Sequence, residues 1–305
     1  MSGTQVREAL ARGRGAVADA LALGATTGPE PDEETLSWLL QSTTAWASDR
    51  IVVRPFTRRE ESRDTGADWL WWWEGDPDEW FGCLVQAKRL RLSAGSATFD
   101  YSYRPAPSGA EPDPPTQLQR LLDASDRLGV PAAYLLYRTP ALGLPDDWAC
   151  QTIPPSWRSA SVTFLAAAIV HERTSYGFDL DLDAVRPIDC LACDGRCGDD
   201  MARLAWYSQN LADPEVRRIL RAPPTTAARR AFRALFSDVV QLRATQLRGA
   251  APDQLDRFHS GFALGEHFSR GIRQPPWYVQ AALSGEDITG VQDLPDVAGV
   301  VIVRD

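Results

Sequence analysis

The segment DWLWWWEGDPDEWFGCLVQAKRL, residues 68–90, decides how the rest of the chain is read. Its opening residues are aromatic and favour strands. GDPD, 75–78, is a strong turn, because proline presets the backbone and glycine and aspartate tolerate turn geometry. A second apolar run comes after the turn, so the segment predicts a β-hairpin. With the turn centred on residue 76 or 77, Asp68 falls opposite residue 85 or 86, within cross-strand reach of Gln86. Strand alternation puts Gln86 and Lys88 on one face and Val85 and Ala87 on the other. It also separates Trp69, Trp71 and Trp73 from Leu70 and Trp72, as expected of a strand covered on both sides. Core packing accounts for these tryptophans better than a platform for stacking nucleobases does.

One residue of the segment stands out chemically. Of 32 lysines and arginines in the chain, Lys88 is the one lysine. Drift in a GC-rich genome explains arginine at ordinary surface positions. It does not explain the retained lysine, whose compact ammonium can sit beside a water or titrate when desolvated, which arginine does badly. The hairpin therefore gathers a carboxylate, an amide oxygen and an ammonium at one end of a sheet. Asp68 and the carbonyl oxygen of Gln86 suit a hard cation such as Mg²⁺, and Lys88 can orient an attacking water. The structural alternative is that Asp68 caps a strand while Gln86 and Lys88 line a wet face.

Working outward, residues 3–22 predict a helix, broken by GATTGPEPDE. Asp32 or Glu33 then starts a second helix with Leu36, Leu39, Leu40, Thr43 and Ala47 at helical spacing. IVVRPF, 51–56, reads as a strand. After the hairpin comes a Pro-, Ser- and Gly-rich loop (104–115), then TQLQRLLDASDRLG as a helix with a glycine stop and VPAAYLLYR as a buried strand. The order is helix, three strands, helix, strand. Beyond it we expect a strand near 161–170, several helices over 199–270, and strands at WYVQAAL and GVVIVRD.

ETLS, EESRDTGADWLWWW, VQAKRL, TQLQRLL and PAAYLLY, in that order, resemble the PD-(D/E)XK nuclease superfamily over residues 33–138. The resemblance is closest to the Mrr-like restriction endonucleases, in which a glutamine replaces the usual motif glutamate, as in VQAKR here. The pattern also looks like an uncharacterised bacterial group placed in that superfamily and suspected of phage defence. The resemblance implies a restriction-endonuclease-like α/β core at 31–170, preceded by an N-terminal helix and linker (1–30) and followed by a Cys-containing, Arg-rich, mainly helical extension with terminal strands (171–305). It implies a Mg²⁺- or Mn²⁺-dependent endonuclease acting on DNA, with Asp68 and Gln86 as metal ligands and Lys88 as the catalytic lysine. Glu34 fits the acid that many members add from the preceding helix. Because an amide binds Mg²⁺ more weakly than a carboxylate, a further acid should complete the site, Glu34 first and Glu61 second. The missing carboxylate also fits a binding module that has lost catalysis and recruits a protein partner, such as an ATPase of a defence operon, or a nucleic acid.

Composition frames these readings. At 305 residues, 44% hydrophobic and 24% charged, the chain can bury a proper core. No apolar run reaches membrane-span length and no leader is evident, so the expected compartment is the cytoplasm. The net charge of −9 repels polyanions, so a nucleic-acid role needs a local basic patch or a metal-bridged contact. Residues 203–248 carry nine arginines against three acids, expected as a solvated helical face or a phosphate-contacting surface. CLACDGRC places Cys190, Cys193 and Cys197 close together. They would give a structural Zn²⁺ three thiolates, with Cys150, His171, His259 or His267 as a fourth ligand, or they are simply buried thiols. No GxxxxGK[ST] occurs, which argues against an ATP-driven motor.

Overall fold

The computed structural model describes residues 2–56, 65–93, 96–104, 114–139, 153, 156–175, 182, 185–193, 214–236, 268, 270–288 and 294–305. Helix α1 (Ser2–Thr27) packs along α2 (Glu33–Ala47). The start of α2 is fixed by Asp32, whose carboxylate accepts from the Thr35 N–H at 2.7 Å and satisfies one of the helix's unpaired donors. Strands β1 (Ile51–Pro55), β2 (Trp69–Trp73) and β3 (Trp80–Arg89) come next, then a ribbon of β4 (Arg91–Ser93) and β5 (Ser96–Thr98). Helix α3 (Gln117–Leu128) has a capping box between Thr116 and Gln119 and stops at Gly129, left-handed at φ 62°. Strand β6 (Ala132–Tyr137) completes the expected order, with the ribbon as the addition. After it lie α4 (Trp157–Ala160), β7 (Val162–Ala166), α5 (Ala167–Ser175), β8 (Arg186–Pro187), β9 (Ile272–Arg273) and β10 (Gly299–Val303).

The fold class is α/β, built on a mixed sheet in the order β1-β10-β2-β3-β6-β7-β8, with β9 pairing β3. β10 is parallel to β2, and β3 is parallel to β6. In the hairpin Trp69 pairs Val85 and Trp73 pairs Phe81, so the position before Trp69 lies opposite Gln86. Trp71, Trp72 and Trp73 are buried from both sides of the sheet, as the alternating pattern predicts for a covered strand. The register puts Gln86 beside Tyr134, on the face from which α3 reaches Gln86. Tyr137, three residues on, takes the other face, where its hydroxyl meets Ser37 of α2 at 2.9 Å.

Three expectations are corrected. The 171–305 segment is not set apart from the core sheet, since its last strand lies in the middle, between β1 and β2. Gly299 allows this approach, because a Cβ there would lie 2.4 Å from the Arg54 carbonyl oxygen and 2.6 Å from the Trp69 ring. WYVQAAL forms a helix (Trp277–Ser284) and not a strand. Pro276 precedes it, Gly285 ends it at φ 80°, and Tyr278, Val279, Ala281 and Ala282 form its buried side.

The third concerns the arginines. Among the described residues of that run, the helix Pro214–Arg221 and the helix over 227–236 turn several of them inward. Arg229 donates to Glu79 at 2.7 and 2.9 Å and to Asp76 at 2.8 Å, and Arg218 pairs with Glu79 as well. Arg230 reaches Asp305, and Arg233 donates to the carbonyls of Leu220 and Ala222, at the end of the Pro214–Arg221 helix where its dipole is negative. Arg230 and Arg233 are each only 5% exposed, so neither can serve a solvated face or a phosphate surface. Arg229 and Arg230 clamp the helix over 227–236 to the hairpin turn and to Asp305, with the Ala228 N–H donating to the Glu74 carbonyl at 2.8 Å, while Arg233 ties it to the Pro214–Arg221 helix.

Candidate active site

Asp68 stands at the entrance to β2, and its main chain is held on both sides. Its N–H donates to the Val85 carbonyl at 2.9 Å, and its carbonyl accepts from the Ala298 N–H, just before β10, at 2.7 Å. Its carboxylate oxygen Oδ2 accepts from the Gln86 side-chain amide at 2.7 Å and from the Ala87 main-chain N–H at 2.8 Å. The same Gln86 Nε2 also donates to the Ala87 carbonyl at 2.9 Å, while Gln86 Oε1 accepts from Gln117 Nε2 at 3.1 Å. Gln117 opens α3. Gly66, left-handed at φ 61°, lets the preceding loop lie against that first turn, since a Cβ there would be 2.8 Å from the Gln117 carbonyl oxygen.

Lys88 lies on the face of Gln86, with only 12% of its side chain exposed. Its ammonium lies 4.0 Å from Glu33 Oε2, and Glu33 Oε1 accepts from the Arg89 main-chain N–H at 2.8 Å. The structure therefore brings together Asp68, Gln86 and Lys88, as the hairpin register predicts. Glu34 is exposed on the first turn of α2, and its charge reaches Asp68 over distance. The acid that reaches Lys88 is its neighbour Glu33, and the difference is one step of helical phase, about 100° around the axis. Glu61 lies outside the described residues. Gln117 is a site residue that the sequence reading misses, although TQLQ reads as a helix start. The signal that could have found it is the position of that start directly over the β3 face carrying Gln86.

Burial sets the electrostatics. Desolvation is the largest influence on Asp68 and raises its pKa to about 7. It outweighs the hydrogen bond from Ala87 and the charge of Lys88, which act the other way, and the charges of Glu33 and Glu34 add to it. The sign for stability is then fixed. Below about pH 4 Asp68 is protonated in folded and unfolded chains alike. Between roughly pH 4 and 7 the unfolded chain gives up the proton and the folded chain keeps it, so stability falls as pH rises through that window. Asp68→Asn should remove this loss and raise stability at pH 8 by on the order of 2 kcal/mol. Urea denaturation of both proteins at pH 5 and pH 8 checks it, the expected result being a gap that is wider at pH 8 than at pH 5.

The donor set fits a hard divalent cation in kind: a carboxylate, a main-chain carbonyl and a side-chain amide converge on one place. At present the Gln86 N–H₂ group fills that place, bridging Asp68 Oδ2 and the Ala87 carbonyl as a cation would. On the opposite face of the sheet, Trp71, Trp73, Cys83, Val85, Phe164 and Leu235 line an apolar cavity, and burial pushes the Cys83 thiol well above its ordinary range, leaving it inert.

The Cys190–Cys193 pair lies elsewhere, on and just after the 3₁₀ turn Ile188–Ala192. Both side chains are buried, and the Cys193 N–H donates to the Cys190 carbonyl at 3.1 Å. Cys197, Cys150, His259 and His267 lie outside the described residues. Among the described residues no three His, Cys, Asp or Glu side chains group as metal ligands. Nor is any described helix long and apolar enough to cross a membrane.

A family model described as "Family of unknown function (DUF6615)" matches residues 6–305, and the chain belongs to that family. No curated protein matches the chain.

Proposed function

Starting from membership of a family without an assigned activity, we propose that this chain is a Mg²⁺- or Mn²⁺-dependent endonuclease of the PD-(D/E)XK type that hydrolyses DNA phosphodiester bonds, in keeping with a role in anti-phage defence. The observation that carries the reading is the meeting of Asp68 Oδ2, the Gln86 amide and the Ala87 carbonyl, with Lys88 one residue beyond on the same strand. The helix, three-strand, helix, strand order that delivers them supports it.

In this reading Asp68, Gln86 and the Ala87 carbonyl would hold the divalent ion. When bound, the ion supplies charge neutralisation at the scissile phosphate and lowers the pKa of water. The chain's own residues do the rest. Lys88, restrained by Glu33, would hold a water beside the phosphate and place its positive charge next to the developing negative charge. Asp68, whose pKa burial raises to about 7, would have to be ionised to hold the cation, so metal affinity should rise with pH up to about 7. Supercoiled plasmid incubated with the chain and Mg²⁺ or Mn²⁺ should be nicked or cut, and Asp68→Ala should abolish this. Cleavage that survives Asp68→Ala, or that proceeds fully in chelator, rejects the site.

One observation favours a second reading, a binding module on the same fold. Gln86 already satisfies Asp68 and the Ala87 carbonyl without any ion. Absence of both Mn²⁺ affinity and salt-dependent DNA affinity would select that module.

A further inference from the structure

The Gln86 amide is not free to choose its own orientation. Its oxygen is bound by Gln117 Nε2, and Gln117 springs from the capped, rigid first turn of α3. Gln117 Oε1 is buried and has no hydrogen-bond partner among the described residues. Stranded acceptors of this kind are costly and uncommon in folded proteins. A primary amide turned by half a revolution about its last bond exchanges oxygen for nitrogen with almost no change of shape. Gln86 cannot make that turn alone, because its N–H₂ group would then face the N–H₂ group of Gln117. The two amides can reverse only together.

We infer that Gln117 is a positioning residue whose side-chain amide decides which end of the Gln86 amide faces Asp68 and the Ala87 carbonyl, and hence whether that place holds an N–H group or receives a divalent cation. The inference rests on the metal-dependent reading above and deepens it. In the present arrangement Gln117 donates and Gln86 plugs the place with its own N–H₂ group. In the reversed arrangement Gln86 donates to the Gln117 oxygen that is now stranded, and its own oxygen joins Asp68 Oδ2 and the Ala87 carbonyl. Three oxygens then converge, which is favourable only with a cation among them. The Gln117 N–H₂ group moves to the position its oxygen holds now. The pair acts as a latch that the ion must turn in order to bind.

The test uses the full chain labelled with ¹⁵N in glutamine side chains, titrated with Mg²⁺ and followed by NMR, with Mn²⁺ affinity measured by calorimetry. In the wild-type chain, the side-chain amide signals of Gln86 and Gln117 should move together with one midpoint; Gln86→Met and Gln117→Met assign them. Gln117→Glu can accept but not donate, so it should hold Gln86 in the cation-ready orientation. Mn²⁺ affinity should rise about tenfold, the worth of one hydrogen bond to a charged group. The Gln86 signals of metal-free Gln117→Glu should already be displaced from the wild-type metal-free position toward that of Mg²⁺ saturation. A Gln117 signal that stays put while that of Gln86 moves in the wild-type titration overturns the latch. So do Gln86 signals in metal-free Gln117→Glu that remain at the wild-type metal-free position. A wild-type chain without Mn²⁺ affinity, or with affinity that Asp68→Asn leaves intact, overturns the metal-dependent reading and the latch with it.

Discussion

Lys88→Arg should reduce plasmid cleavage at least about a hundredfold while leaving the melting temperature close to that of the wild type, the usual scale for losing a positioned general acid or base. The change preserves the charge, so any loss must come from the shape and hydrogen-bonding geometry of the cation. The Lys88 side chain is mostly covered at the end of β3, with its ammonium 4.0 Å from Glu33. A guanidinium is planar, wider and unable to deprotonate, and it would clasp both oxygens of Glu33 in a bidentate pair instead of standing beside a water near Asp68. The rescue experiment is equally specific. Glu33→Gln combined with Lys88→Arg removes the clasp yet should stay inactive, because the wide planar guanidinium still cannot place a compact charge beside the water. Initial-rate measurements with Mg²⁺ at pH 8 decide the matter. Cleavage by Lys88→Arg within fivefold of wild type would mean that the lone lysine has no special chemical task.

Removing residues 299–305 should prevent folding altogether. Val300, Val301, Ile302 and Val303 are fully or almost fully buried, and burying each such side chain contributes about 1.5–3 kcal/mol. Their sum is comparable with the entire stability of an ordinary domain, roughly 5–15 kcal/mol. The deletion also strips the hydrogen-bonding partners of both β1 and β2, leaving two open strand edges in the heart of the sheet. Loss of the cooperative transition in circular dichroism, with aggregation, is the expected result. A truncated chain that melts cooperatively near the wild-type temperature would show that β10 adds little.

The parts of the molecule that can be read from residues alone are those governed by local rules. The hairpin is legible because GDPD and the aromatic alternation specify it, and its turn alone sets Asp68 opposite residue 85 or 86, where the strand register has it. The boundaries of α2 and α3 are legible through Asp32, Thr116 and Gly129, each a cap with a clear mechanism. What escapes depends on long-range placement. GVVIV announces a strand, yet nothing in it says that β1 and β2 will be its neighbours. The arginines of 214–236 have the pattern of a solvated face, and their partners Asp76, Glu79 and Asp305 are far away in the chain. WYVQAAL has the composition of a strand and the punctuation of a helix, and the punctuation of Pro276 and Gly285 wins. Within the site, Glu33 and Glu34 cannot be told apart without the helix phase, and Gln117 becomes visible only once α3 is laid on the face of β3 that carries Gln86.

The location of β10 also orders events in time. A ribosome makes the chain from its N-terminus, so β2, β3 and β6 leave the exit tunnel long before the strand that must slide between β1 and β2. Until then Asp68 lacks the Ala298 contact that fixes its main chain. In the proposed reading, the site is therefore completed only after β10 has been joined to the chain and has paired with β1 and β2.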